Sequence, residues 1–159
     1  MPTDATPEDM HVKRLLPVDA ELAFKAIEEI KGTEPSPSLS IDYLRKFLTA
    51  QNNVLIVASN GDDPTGYLIA YLLDRVDGDQ QMVCLYEIEA SKSHRRTGVA
   101  RAMIDTLKDL CGQLGATKAW VITNRSNSAA VGLYESTGAH AEPNGDELMF
   151  VWDSEHWKP

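Results

Sequence analysis

Residues 92–101 read KSHRRTGVAR, which gathers Lys92, His94, Arg95, Arg96 and Arg101 around one glycine, Gly98. On one side lies an apolar run of strand type, MVCLYEIEA (82–90). On the other lies VARAMIDTLKDLCGQLG (99–115), apolar every third or fourth residue. The basic stretch therefore joins a strand to the start of a helix. The first N–H groups of a helix lack intrahelical partners, and the macrodipole makes that end positive. Gly98 lets the backbone approach a bulky anion with no Cβ in the way. Arg95 and Arg96 add guanidinium donors suited to phosphate oxygens, and Thr97 adds a hydroxyl. Cations at a helix N-terminus oppose the dipole unless an anion joins them, so the pattern predicts an anion site of phosphate type. Neither G-x-x-x-x-G-K-S/T nor G-x-G-x-x-G occurs, which excludes a P-loop and a dinucleotide fingerprint.

Such a site needs a frame. VKRLL (12–16) reads as a short strand. Asp19 is a candidate N-cap for a helix that carries Leu22, Ile27 and Ile30 and stops at Gly32. TEPSPSLS (33–40) is a loop, after which Ser40 or Asp42 caps a second helix with Ile41, Leu44, Phe47 and Leu48 on one side. NVLIVAS (53–59), the turn NGDDPTG (60–66) and YLIAYLL (67–73) predict a hairpin, and MVCLYEIEA extends it into a meander. Val99, Met103, Leu107, Leu110 and Leu114 form the apolar stripe of the long helix, which Gly115 ends. AWVIT (119–123) is a further strand, NRSNSAAVGLYESTG (124–138) a loop with a short helix, and LMFVW (148–152) a last strand. The strand–helix–strand step around the basic stretch predicts a parallel, right-handed crossover in an otherwise antiparallel sheet. The fold class is α/β (α+β): a mixed, mostly antiparallel central sheet flanked by helices, in one domain over residues 1–159.

The formal charge of −9 argues against nucleic acid as the main partner and suits a cationic substrate. No apolar run approaches the roughly 20 residues of a membrane span. MPTDATPEDM has neither the basic nor the apolar region of a secretion signal. Cys84 and Cys111 lack metal-type spacing, which fits reduced thiols in a cytoplasmic protein, and the four histidines show no ligand pattern, so no metal is expected.

Two motifs resemble those of the GCN5-related N-acetyltransferases (GNAT). Arg95-Arg96-Thr97-Gly98-Val99-Ala100 matches Gln/Arg-x-x-Gly-x-Gly/Ala, which in that family cradles the pyrophosphate of acetyl-CoA. Asn127, followed by Leu133-Tyr134-Glu135-Ser136-Thr137-Gly138, matches the second. Tyr86-Glu87, His94-Arg95-Arg96-Thr97-Gly98-Val99-Ala100 and Ala130-Val131-Gly132-Leu133-Tyr134 look like the aminoglycoside 3-N-acetyltransferase branch. Asn127-Ser128-Ala129 and Glu89 depart from that branch, where an acidic proline-containing run and a small residue stand.

The resemblance implies a GNAT fold and acetyl-CoA as cofactor. It implies that Arg95, Arg96, Thr97, Gly98, Val99, Ala100, Arg101 and Asn127 hold the cofactor, with main-chain N–H groups near Ile88 or Ala90 facing the developing oxyanion. An alkylammonium with a pKa near ~10 must lose a proton before it attacks. Glu87 is the expected base, directly or through a water, and Tyr134 the expected acid toward the thiolate. Two-residue alternation puts Glu87 and Glu89 on one strand face unless a bulge intervenes. With Tyr86 and the acids Glu34, Asp146 and Glu147 they would bind a polycationic aminoglycoside. Another amine (a polyamine, an amino acid, a protein N-terminus), a non-catalytic CoA-binding module and a homodimer all stay open.

Overall fold

The structure, a computed structural model, describes residues 9–141. Five strands form one sheet in the order β1-β2-β3-β4-β5: β1 (Met10–Arg14), β2 (Asn53–Asn60), β3 (Asp63–Asp74), β4 (Gln81–Ala90) and β5 (Lys118–Trp120). The first four pair antiparallel; β4 and β5 pair parallel, as the crossover through the long helix predicts. The helices are α1 (Ala20–Ile30), α2 (Ile41–Thr49), α3 (Val99–Leu114) and α4 (Ser128–Ser136).

The helices sit on both faces of the sheet. Val54, Ile56, Leu68, Val83 and Leu85 pack with Met103 and Leu107 of α3, whereas Leu55, Val57 and Tyr67 pack with α1 and α2. This is why NVLIVAS is apolar without alternation: a strand buried on both faces has no solvent side. Gly66 of β3 seats the first turn of α3. A Cβ there would lie 2.7 Å from Val99 Cγ1 and 2.8 Å from Met103 Cε.

Several boundaries differ from the sequence reading. β1 starts at Met10, and Leu15 has left the strand although its N–H still bonds to the Leu55 carbonyl at 2.8 Å. Asp19 does not cap α1 with its side chain. Its carboxylate accepts from the Leu16 N–H at 2.9 Å and from Lys13 at 2.8 Å, closing the short 3-10 turn Pro17–Asp19 instead. Ser40 caps α2 by accepting from the Tyr43 N–H, while Asp42 pairs with Arg45. The hairpin turn is tighter than NGDDPTG, because Asn60 already pairs with Asp63 and Gly61 takes φ 59°. β5 is shorter than AWVIT. The proposed strand LMFVW lies outside the described residues.

Candidate active site

The basic stretch turns sharply into the start of α3. The backbone is left-handed at Arg96 (φ 62°) and at Gly98 (φ 87°), the N-cap of α3. No side chain caps this helix start, and nothing lies within 4 Å of where a Gly98 Cβ would be. An uncapped helix N-terminus beside open space suits the diphosphate of a nucleotide cofactor. Positive φ at a non-glycine residue is uncommon and is held by surrounding contacts. Here the Thr97 hydroxyl donates to the His94 carbonyl at 2.5 Å, the His94 N–H to the Ser91 carbonyl, and the His94 ring nitrogen Nδ1 meets the Ser91 and Ser93 hydroxyls at 2.7 and 3.0 Å. Arg95 and Arg96 are exposed at this turn. Two residues expected at the cofactor also bond within the chain. Thr97 gives its proton to its own turn, and Arg101 donates to the Ser136 carbonyl at 3.1 Å.

A bulge shapes the neighbouring strand. Ala70 pairs with Leu85 and Ile69 with Glu87, so Tyr86 is the extra residue of β4. Leu85 belongs to the α3-side core, and Ile88 and Ala90 pack against it together with Tyr134. Beyond the pair Cys84–Trp120, β4 continues without β5 to Ala90, which leaves that edge of residues 85–90 unpaired among the described residues. Main-chain groups there are available to a ligand lying between β4 and α4.

Glu87 and Glu89 face the opposite side, toward α1. The bulge precedes both, so the expected alternation survives. Glu87 does not stand in a purely apolar setting. Its Oε1 accepts from Lys31 Nζ at 2.8 Å and from the Tyr67 hydroxyl at 2.5 Å. Glu89 Oε2 accepts from the Gly32 N–H at 2.9 Å. The two carboxylates therefore bind the end of α1 and do not form an empty cation-binding wall. Tyr67 is fully buried; burial, then the Glu87 carboxylate, pushes its phenol well above the usual range. Lys31 and Tyr67 were not among the expected site residues. Tyr67 carried a signal, a hydroxyl in an aliphatic strand, whereas Lys31 meets Glu87 across 56 residues of chain.

Tyr86 is exposed and stands edge-to-face on Tyr71, ring centroids 5.5 Å apart. Glu34 is exposed on the loop after α1 and makes no ion pair among the described residues. Asp146 and Glu147 lie outside the described residues.

α4 completes the site on the α3 side. The Asn127 side chain caps it, accepting from the Ala130 N–H at 3.1 Å. Burial raises the Tyr134 phenol, which keeps it protonated and able to donate. Lys108 donates to the Thr137 carbonyl at 2.8 Å, so Arg101 and Lys108 together tie the end of α4 to α3. The arrangement places a basic helix start and a protonated phenol on one side of β4 and a carboxylate on the other, with an open strand edge between. Among the described residues, no group of three or more His, Cys, Asp and Glu could hold a metal, and no helix is long and apolar enough to cross a membrane.

Comparison with known proteins gives the family and the fold. The family model described as "Acetyltransferase (GNAT) family" matches residues 22–139. The ribosomal protein bS18-alanine N-acetyltransferase of Escherichia coli K12 is 32% identical over 73 residues, covering 46% of this chain and 48% of that protein. The matched segment thus spans about half the length of that curated relative. An aminoglycoside acetyltransferase from an uncultured soil metagenomic sample, solved in complex with sisomicin, superposes with TM-score 0.78 at 17% identity, covering 92% of this chain and 98% of that one. The aminoglycoside N-acetyltransferase AAC(6')-Iy, solved with CoA, gives TM-score 0.70 at 16% identity over 91% and 95% of the two chains. A ribosomal-protein-alanine N-acetyltransferase from Brucella melitensis biovar Abortus 2308 gives 0.67 at 21% identity over 89% and 99%. At these identities the structural likenesses show the fold.

Proposed function

Because the chain belongs to the GNAT acetyltransferase family, whose members use acetyl-CoA, we propose that it acetylates a primary amine with Glu87 as base and Tyr134 as acid. The observation that carries this reading is the placement of Glu87 and Tyr134 on opposite sides of the unpaired β4 edge. When bound, acetyl-CoA supplies an acetyl thioester. Arg95, Arg96 and the N–H groups around Gly98 hold its diphosphate. Val99 and Ala100 begin the helix that carries those N–H groups, and Asn127 fixes the start of α4. Glu87 takes the amine proton as the new C–N bond forms. Tyr134 would give its proton to the thiolate released as the C–S bond breaks. The main-chain N–H of Ile88 or Ala90 would donate to the carbonyl oxygen where charge develops. Lys31 now occupies the carboxylate that an incoming ammonium would meet, so it moves aside or shares Glu87 when the acceptor binds.

Two acceptor classes fit. An aminoglycoside, acetylated on its 3-amino group with antibiotic resistance as the outcome, is supported by the net charge of −9 and by the fold it shares with aminoglycoside acetyltransferases. A singly charged amine, such as an amino-acid derivative or a peptide N-terminus, is supported by a different observation: Glu87 and Glu89 are already engaged by Lys31 and Gly32. A cytoplasmic location goes with either, given the free thiols Cys84 and Cys111. The test is free-thiol release from acetyl-CoA with gentamicin, sisomicin, kanamycin, spermidine and a peptide with a free N-terminus. Turnover on the antibiotics alone selects the first class, and turnover on the peptide selects the second. CoA binding without turnover on any amine would leave only a regulatory binding module. Glu87→Gln should cut turnover about 10²- to 10⁴-fold. Its acetyl-CoA affinity by calorimetry should hardly change, and normal turnover would remove Glu87 as base.

A further inference from the structure

A cavity of about 340 Å³ opens between α1, α2, the loop at residues 33–40 and β3. Ile27, Leu44, Phe47, Ile69 and Tyr71 make its walls, and Tyr43, which is 54% exposed, stands at its surface. Packed interiors rarely leave voids larger than a water molecule, and this volume lies at the small end of ligand sites. Three of its lining residues connect it to Glu87 or to the residue before it. Lys31, which lines the cavity, holds the Glu87 carboxylate; Ile69 is the cross-strand partner of Glu87; and Tyr71 stacks on Tyr86, the residue before it. Among the described residues, no carboxylate lines the cavity, and the one charged residue there is the cation Lys31.

We propose that this cavity receives the substituent of the acceptor, and that the acceptor is a primary amine with an apolar, ring-sized or branched group beside its nitrogen. This rests on Glu87 being the site of amine deprotonation. The ammonium is held at the Glu87 carboxylate while the substituent enters between Phe47, Ile69 and Tyr71. Aromatic walls bring large contact area and edge-to-face packing to a ring. A second ammonium entering the cavity would lose its water, find no carboxylate among the described residues and face Lys31, which disfavours a polycation in this position. The Pro/Ser loop forms one wall through Pro35, Ser36, Ser38 and Leu39, so its sequence controls the size of substituent admitted.

The experiment is a rate comparison on the full chain with saturating acetyl-CoA, following free thiol. The acceptors are glycinamide, phenylalaninamide, phenethylamine, the tripeptide Phe-Gly-Gly and sisomicin. Burial of the ring should raise kcat/KM for phenylalaninamide about 10- to 100-fold over glycinamide, mostly through KM. Phenethylamine or Phe-Gly-Gly as the best acceptor would equally support the subsite and would separate a free amine from a peptide N-terminus as the source. Tyr43→Glu places a carboxylate at the cavity surface without disturbing a buried position. It should bring the phenylalaninamide to glycinamide ratio down about tenfold or more. A thermal melt unchanged from wild type establishes that this variant is folded. Equal rates for glycinamide and phenylalaninamide, or sisomicin preferred over every small amine, would overturn the subsite and leave the transferase reading standing. No turnover on any amine, with CoA still bound, would overturn both.

Discussion

At the scale of single residues, the centre of the site is a shared carboxylate. Glu87 meets a lysine from the end of α1 and a buried phenol from β3, so three elements converge on one oxygen. The partners differ in kind. Lys31 and Glu87 keep 28% and 22% of their side chains exposed, which lets the ion pair open. Tyr67 has no exposure and cannot swing away. Tyr67 thus fixes the orientation of the carboxylate while Lys31 yields its place to an amine. Its raised pKa has a consequence for stability. The folded state keeps the Tyr67 proton at a pH where the unfolded chain, with a phenol near ~10, has begun to lose it. The stabilisation is therefore complete below about pH 10 and declines as pH rises toward the folded-state value. The melting temperature should fall steeply above about pH 10 in the wild type and less steeply in Tyr67→Phe. Some slope remains in the variant, because burial also raises the Tyr71 and Tyr134 phenols. Identical slopes in the two proteins would show that the phenol is not held neutral by the fold.

At the scale of elements, the position of α3 decides whether the anion site exists at all. Its first turn rests on a strand position that has no side chain, Gly66, and an alanine there must push against Val99, Met103 and the Glu89 carbonyl, 3.0 Å away. Gly66→Ala should cost about 1–3 kcal/mol of stability by overpacking. It should also weaken acetyl-CoA binding, because the start of α3 shifts; full stability with full CoA affinity would mean that the seat is not tight. This dependence was invisible in the sequence, where Gly66 read only as the end of a turn. What was legible there was local. Gly98 and Gly115 marked the ends of α3, Ser40 was among the expected caps, and the apolar stripe of α3 showed its period. Features set by pairing between distant segments were not legible. The bulge at Tyr86 arises from the register of β3 on β4, and β5 ends early because its pairing with β4 stops at Cys84–Trp120. The engagement of Glu87 by Lys31 and of Glu89 by Gly32 also depends on how α1 lies on the sheet. The sequence could place two carboxylates on a face but could not say that the chain itself would fill them.

At the scale of the whole molecule, charge is divided between the two substrates. The chain carries −9 overall, yet the exposed residues at the turn before α3 include Arg95 and Arg96. The long-range field therefore attracts a cationic amine and repels an anionic cofactor, and the local cluster reverses the sign where the diphosphate binds. These two effects respond differently to salt. Raising ionic strength from 0.01 M to 0.15 M shortens the Debye length from about 30 Å to about 8 Å, which removes the long-range field but leaves close contacts largely intact. The kcat/KM for the amine should then fall about two- to fivefold for a singly charged acceptor and more steeply for a polycation. The KM for acetyl-CoA should move less over the same range, because screening weakens both the general repulsion and the local attraction. Steady-state rates at four or five salt concentrations, with sisomicin and phenylalaninamide side by side, measure both slopes. A flat amine profile would mean that the acidic surface serves the protein without steering its acceptor. The amine would then be selected only within reach of Glu87 and the apolar cavity beside it.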